Sequence, residues 1–177
     1  MRLEYFQMVD RIATIDIQGG RIETACQLPD ASPVFEGHFP GYPILPGVLM
    51  IETMAQTGGW LILAKLHCTR MPFLMQVEKA KMRSFVVPGQ PLQVQATMLH
   101  EGSGYAVVKA AIATDGKRVA DAEIRYGVVP FPNEILRSAM VTTAERIGLA
   151  AEFRPTSALP QKAVTPEPVI EESSYGS

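Results

Sequence analysis

Three features of the sequence predict an α+β fold with an antiparallel β-sheet wrapped around one long apolar α-helix. Two strand-like segments precede a helical stretch and four follow it, joined mostly by tight Gly-containing turns. The helical stretch is apolar on nearly every face, and from Val48 to Ala64 its only ionisable residue is Glu52. A single stripe laid on a flat sheet would leave Met50, Ile51, Met54, Trp60 and Leu61 partly in water, so this helix has to be enclosed on several sides. A strongly twisted sheet encloses it and follows the natural right-handed twist of strands.

The composition agrees with one globular domain. Of 177 residues, 47% are hydrophobic and 19% are charged, with a net charge of −2. A chain of this size buries about 70% of its unfolded surface, so its core needs no metal or disulfide staple. The slight acidity removes the broad basic footprint of a nucleic-acid binder, and no nucleic-acid partner is expected. Cys26 and Cys68 lack metal-ligand and redox spacing and read as reduced packing thiols. Met1-Arg2-Leu3-Glu4 leads into mixed polar and apolar residues, not a secretory apolar run, so a cytoplasmic location is expected. The stretch from Val48 to Leu66 carries Glu52, Gln56, Thr53, Thr57, Gly58 and Gly59, which argues for a buried helix and against membrane insertion.

In chain order, Tyr5 to Ile17 is rich in β-branched and aromatic residues, Gly19-Gly20 turns, and Arg21 to Leu28 alternates through Ile22, Thr24, Cys26 and Leu28. This is a β-hairpin. Residues 29–46 hold five prolines, which reads as a long loop of fixed shape without regular structure. The helix then runs from about Pro46 to Leu66, with proline near its first position, where a missing N–H costs nothing. Strands are predicted over Phe73 to Val87, Leu92 to Leu99, Tyr105 to Ala113 and Arg118 to Val129, separated by Pro88-Gly89, Gly102-Ser103-Gly104 and Asp115-Gly116.

Pro130-Phe131-Pro132 closes the sheet, and Asn133 can cap a second helix, amphipathic through Ile135, Leu136, Met140 and Ile147. The chain therefore divides into a domain over 1–131, a C-terminal amphipathic helix over 132–150 and a flexible tail over 151–177. No internal repeat is present.

The chemistry concentrates between Phe35 and Glu52. An imidazole, His38, sits in a Gly/Pro-rich loop, a helix N-terminus follows at Gly47, and a lone carboxyl, Glu52, lies inside the apolar helix. Each has a structural alternative: His38 could bond the loop backbone, and Glu52 could pair with a distant Arg or Lys, because a buried lone charge is costly. A neutral imidazole and a protonated carboxyl form the pair that takes a proton from carbon and gives one to a departing hydroxyl. The carbonyl that activates such a carbon needs donors for its growing negative charge, and the free N–H groups around Gly47 can supply them.

Gly37-His38-Phe39-Pro40-Gly41, Pro43-Ile44-Leu45-Pro46-Gly47-Val48-Leu49 and Glu52-Thr53-Met54-Ala55-Gln56 together resemble the active-site segment of bacterial 3-hydroxyacyl-acyl-carrier-protein dehydratases of the FabZ type. The similarity continues at Val9-Asp10-Arg11 and from Lys81 to Gly89, and spans roughly Leu3 to Val129. It implies a hotdog fold, a dimer or trimer of dimers, and a site shared between two chains at the mouth of an acyl tunnel. By position, the resemblance makes His38 the base at C2 and Glu52 the acid for the 3-hydroxyl. It gives the Gly47 N–H to the thioester oxygen and places Val48, Phe39, Pro46 and Gln56 around the substrate. Glu at position 52 favours the branch that dehydrates without isomerising. The chain departs from the family in lacking a Leu-Pro-His-Arg segment ahead of the first strand, in Gln90 after Pro-Gly, and in everything beyond Val129.

The implied partner is an acidic acyl carrier protein, which calls for a basic dock. Lys65, Arg70, Lys79, Lys81 and Arg83, set against Glu78 alone, supply one, with Lys79, Lys81 and Arg83 as the candidate contacts. His67 and His100 read as surface residues. With no ligand cluster and no phosphate loop in the sequence, no metal and no cofactor are expected. The competing functions are an acyl thioesterase on the same fold and a non-catalytic acyl-binding or assembly subunit.

Overall fold

The computed structural model describes residues 1–154. After a 3-10 turn at Leu3–Tyr5 come β1 (Arg11–Asp16), β2 (Arg21–Gln27), a short α1 (Pro33–Gly37) and the long α2 (Gly47–Lys65). Then follow β3 (Arg70–Met82), β4 (Pro91–Gly102), β5 (Tyr105–Thr114), β6 (Lys117–Pro130) and α3 (Glu134–Arg146). The six strands form one antiparallel sheet in the order β1-β2-β4-β5-β6-β3. The hairpin thus sits at one edge and β3 at the other, with the β4-β5-β6 meander between them. α2 packs against β2, β3, β4, β5 and β6, so the sheet curls around it. This is the expected α+β hotdog arrangement.

The burial of α2 follows its composition. Thirteen of its 19 residues are buried, including Thr53 and Thr57, whose hydroxyls donate to the Leu49 and Thr53 carbonyls. Thr57 also shares a 2.8 Å hydrogen bond with Thr24 of β2, and Tyr126 of β6 donates to the Ala55 carbonyl at 2.8 Å. A side chain at Gly58 would bring a Cβ within 2.5 Å of the Tyr126 hydroxyl, so only glycine lets helix and sheet approach this closely here.

Several boundaries differ from the sequence expectation. The proline-rich segment is not wholly irregular: Ser32 caps α1 by accepting from the Val34 N–H, and Pro33 occupies the first turn, where proline fits. β1 starts only at Arg11, after the 3-10 turn. β3 begins and ends earlier than expected, because Arg83 to Val87 leaves the sheet edge. The Val86 carbonyl there accepts the Leu45 N–H at 2.7 Å and ties down the loop ahead of α2.

α3 has the expected Asn133 cap, whose side chain accepts from the Leu136 N–H at 2.8 Å. Its inward face matches the expected one at Met140 and Ile147 and departs from it at Ile135 and Arg137. Ile135 is 83% exposed, whereas Arg137 is 3% exposed, with Ala144 and Ile147 also buried. Arg137 Nε donates to the carbonyl of Cys68, in the turn that follows α2, and Nη1 pairs with Glu134. The tail expected over 151–177 falls mostly outside the described residues; within them, Ala151–Phe153 makes a 3-10 turn with Phe153 against the core. Among the described residues no helix is long and apolar enough to cross a membrane, and no His, Cys, Asp and Glu cluster could hold a metal ion.

Candidate active site

The loop carrying His38 is fixed by its own backbone. Phe39 and Tyr42 exchange N–H···O bonds at 3.0 and 2.9 Å, and the His38 carbonyl accepts the Ile44 N–H at 2.8 Å. The backbone needs nothing from the imidazole, which stacks on the Phe39 ring at 4.2 Å and bonds no described residue. His38 is thus half-buried, pre-set and free to bond a ligand.

The N-terminus of α2 lies beside it. Pro46 precedes Gly47 with its carbonyl taken by the Leu49 and Met50 N–H groups, whereas no described acceptor takes the N–H of Gly47 or Val48. These are the orphan donors of a helix start. A Cβ at Gly47 would come within 3.3 Å of Met82, so glycine keeps this donor approachable. His38, Phe39 and Gly47 line one cavity of about 650 Å³ together with Met50, Met82, Arg83 and Phe85. Pro46 and Val48 flank it on the chain, Val48 being 70% exposed.

Glu52 is half-buried in α2, and no described cation pairs with it. Its Oε1 accepts from Gln56 Nε2 at 2.8 Å, one helical turn on. Gln56 is itself held from the opposite side, accepting the Met8 N–H at 3.1 Å and donating to the Phe6 carbonyl at 2.6 Å. Glu52 and Gln56 line a second, open-sided cavity of about 310 Å³, with Tyr126 in its wall. Burial pushes the Tyr126 phenol well above its ordinary range, and the nearby Glu52 charge adds to this.

A single chain therefore brings His38, Phe39 and Gly47 together, and Glu52 with Gln56, in two separate cavities. Next to the first lie exposed apolar side chains: Phe39, Tyr42, Val48, Met82 and Phe85, with Phe73, Leu74 and Met75 along the free edge of β3. Of the expected basic dock, Lys79 is paired with Glu123 at 2.8 Å and Arg83 with Asp121 at 2.6 Å, both acids on β6. Lys81 has no ion-pair partner among the described residues. The sequence reading missed Tyr126, an ordinary-looking strand residue. It also missed Met140, Thr143 and Arg146 of α3, which line the Glu52 cavity and whose spacing carries no sign of it.

A family model described as a FabA-like domain matches residues 2–123. The chain belongs to the FabA-like family. Relatives of this FabA-like chain include a protein from Bartonella quintana, 39% identical over 126 residues, covering 70% of the chain and 81% of the relative. Another, from Syntrophotalea carbinolica, is 38% identical over 127 residues, with 71% and 86% covered. Both are named 3-hydroxyacyl-[acyl-carrier-protein] dehydratase FabZ. Among solved structures, a hypothetical thioesterase with coenzyme A from Streptococcus pneumoniae superposes with a TM-score of 0.54 at 15% identity, covering 68% of this chain and 85% of that one. A thioesterase from Haemophilus influenzae gives 0.53 at 16%, with 67% and 77% covered. At such identities these neighbours share the fold with the FabA-like chain. The family match ends inside β6, so α3 lies wholly outside it.

Proposed function

We propose that this chain is a hydro-lyase of fatty-acid biosynthesis that removes water from (3R)-3-hydroxyacyl thioesters on an acyl carrier protein, giving trans-2-enoyl thioesters. The observation that carries the mechanism is an imidazole bonded to no described residue beside the open N-terminus of α2, combined with a carboxyl that Gln56, not a cation, holds in place. His38 takes the C2 proton, and the electrons left behind form the C2–C3 double bond. The C3–O bond breaks as Glu52 protonates the leaving oxygen, and water departs. Negative charge that gathers on the thioester oxygen meets the Gly47 N–H, with the Val48 N–H next in line, donors already aligned before the reaction starts. Phe39 and Pro46 shape the cavity around the reacting carbons. The reaction is redox-neutral and consists of two proton transfers, so these residues suffice without a cofactor.

His38 and Glu52 act together when two copies pair and the His38 cavity of one meets the Glu52 cavity of the other. The apolar free edge of β3 and the exposed aromatic residues beside His38 support such a homodimer, because an unpaired apolar edge is an adhesive surface. Three of these dimers can assemble further into a trimer of dimers. Lys81, with Lys79 and Arg83 beside it, offers the carrier protein its dock, and the enzyme acts in the cytoplasm.

The test is equilibration of a 3-hydroxyacyl carrier-protein thioester with its enoyl product. Wild type interconverts the two, and His38→Ala and Glu52→Gln each lose about 10²-fold or more while remaining folded. Release of free acid instead of enoyl thioester would replace this reading with a thioesterase.

A further inference from the structure

The cavity that holds Glu52 has a wall from outside the family match. Its floor is one face of α2, where Glu52, Gln56, Gly59 and Leu63 recur at helical spacing over about 16 Å. Opposite stand Met140, Thr143 and Ile147 of the C-terminal helical segment, with Arg146 at the exposed rim. That segment is anchored at both ends: Arg137 is buried against the Cys68 carbonyl, and the Ile147 carbonyl accepts the Ile12 N–H at 2.7 Å. The Thr143 hydroxyl already donates to the Ala139 carbonyl, so it does not need a partner in the cavity.

The adjacent glycines of the floor behave differently. Gly58 is required, because of Tyr126. At Gly59 a Cβ would meet only Pro72, at an ordinary 3.7 Å. Glycine inside a helix costs about 0.5–1 kcal/mol relative to alanine, and packing does not ask for it at Gly59; what it does is leave the cavity deeper.

We propose that α3 is the outer wall of the acyl-chain site, and that Met140 gauges the length of chain accepted. The inference rests on the dehydratase reading. With the 3-hydroxyl at Glu52, the fourth carbon lies two bonds from the hydroxyl oxygen that meets this carboxyl, and the apolar trough leading away from it is lined by α2 and α3. Hydrocarbon in such a trough is discriminated by about ten- to 200-fold per methylene that fails to fit.

The experiment compares Met140→Phe and Met140→Ala with wild type, using 3-hydroxybutyryl and 3-hydroxydodecanoyl thioesters. Relative to the short substrate, Met140→Phe lowers kcat/KM for the long one at least about tenfold, and Met140→Ala shifts the ratio the other way. A general loss of folding would move both substrates and both variants in one direction. Trp60, the chain's single tryptophan, lines the cavity and gives a readout independent of turnover. Dodecanoyl-pantetheine shifts its fluorescence in wild type and binds at least about tenfold more weakly to Met140→Phe. If no substrate is dehydrated while this binding pattern holds, the reaction is wrong and the wall stands. If dehydration proceeds with unchanged length ratios and a silent Trp60, the wall is wrong and the reaction stands.

Discussion

Gln56 holds Glu52 in place from one turn further along α2, its Nε2 donating to Glu52 Oε1 at 2.8 Å. The amide is clamped in turn by the Met8 N–H and the Phe6 carbonyl, which ties the orientation of the acid to the segment ahead of β1. One oxygen of the carboxyl is occupied, and Oε2, which bonds no described residue, is the one the proposed mechanism uses.

Gln56→Leu therefore acts on rate more than on affinity. It removes the donor that fixes Glu52, and a misplaced catalytic group costs up to about 10²-fold, so kcat falls about ten- to a hundredfold with KM little changed. It also leaves the fully buried Met8 without a partner for its N–H, costing about 1–3 kcal/mol of stability. Kinetics below the melting transition separate the two effects. An unchanged kcat would show that Gln56 serves folding alone.

The proposed sharing of the site between two chains makes a sharper prediction. His38→Ala and Glu52→Gln are each inactive alone, but a mixed dimer restores one intact site, with imidazole from one chain and carboxyl from the other. Random exchange of the two variants recovers about a quarter of wild-type turnover, since half the dimers are mixed and each has one of two symmetric sites working. Turnover that stays at zero after verified subunit exchange would place both residues of a site in one chain.

Much of the fold was legible because the strongest signals were unambiguous. The hairpin declares itself through alternation around Gly19-Gly20, and α2 through a run with Glu52 as its lone charge. His38 and Glu52 stood out for the same reason, an imidazole among Gly and Pro and a carboxyl among hydrocarbon. α1 was hidden by proline count, because Pro33 sits where proline is harmless. Arg137 misled the reading of α3, because a charge in an amphipathic pattern is assigned outward, while here its Nε and Nη1 turn inward to the Cys68 carbonyl and Glu134. The cavity wall was illegible in principle, since nothing at Met140 records that α2 lies across from it.

The core also predicts how stability responds to alkali. Burial, the largest cause, raises the Cys26 thiol from an ordinary 9.0 to about 11, and burial raises Cys68 as well. A group whose folded pKa is raised contributes fully below its unfolded pKa and loses that contribution as pH climbs through the folded value. Unfolding from about pH 9 upward thus releases a proton that the native Cys26 keeps, and each pH unit removes about 1.36 kcal/mol until the native thiol also ionises. Between pH 8 and about pH 10.5, Cys26 should account for a loss of about 2 kcal/mol. Tyr126, likewise raised, adds a loss of the same sign at higher pH. Urea denaturation of wild type and Cys26→Ala at both pH values measures it. The alanine variant pays a constant cavity cost, but its stability falls less steeply with pH, so the gap between the two proteins narrows by about 2 kcal/mol. A gap that stays constant would mean that the Cys26 thiol is not held neutral by its burial.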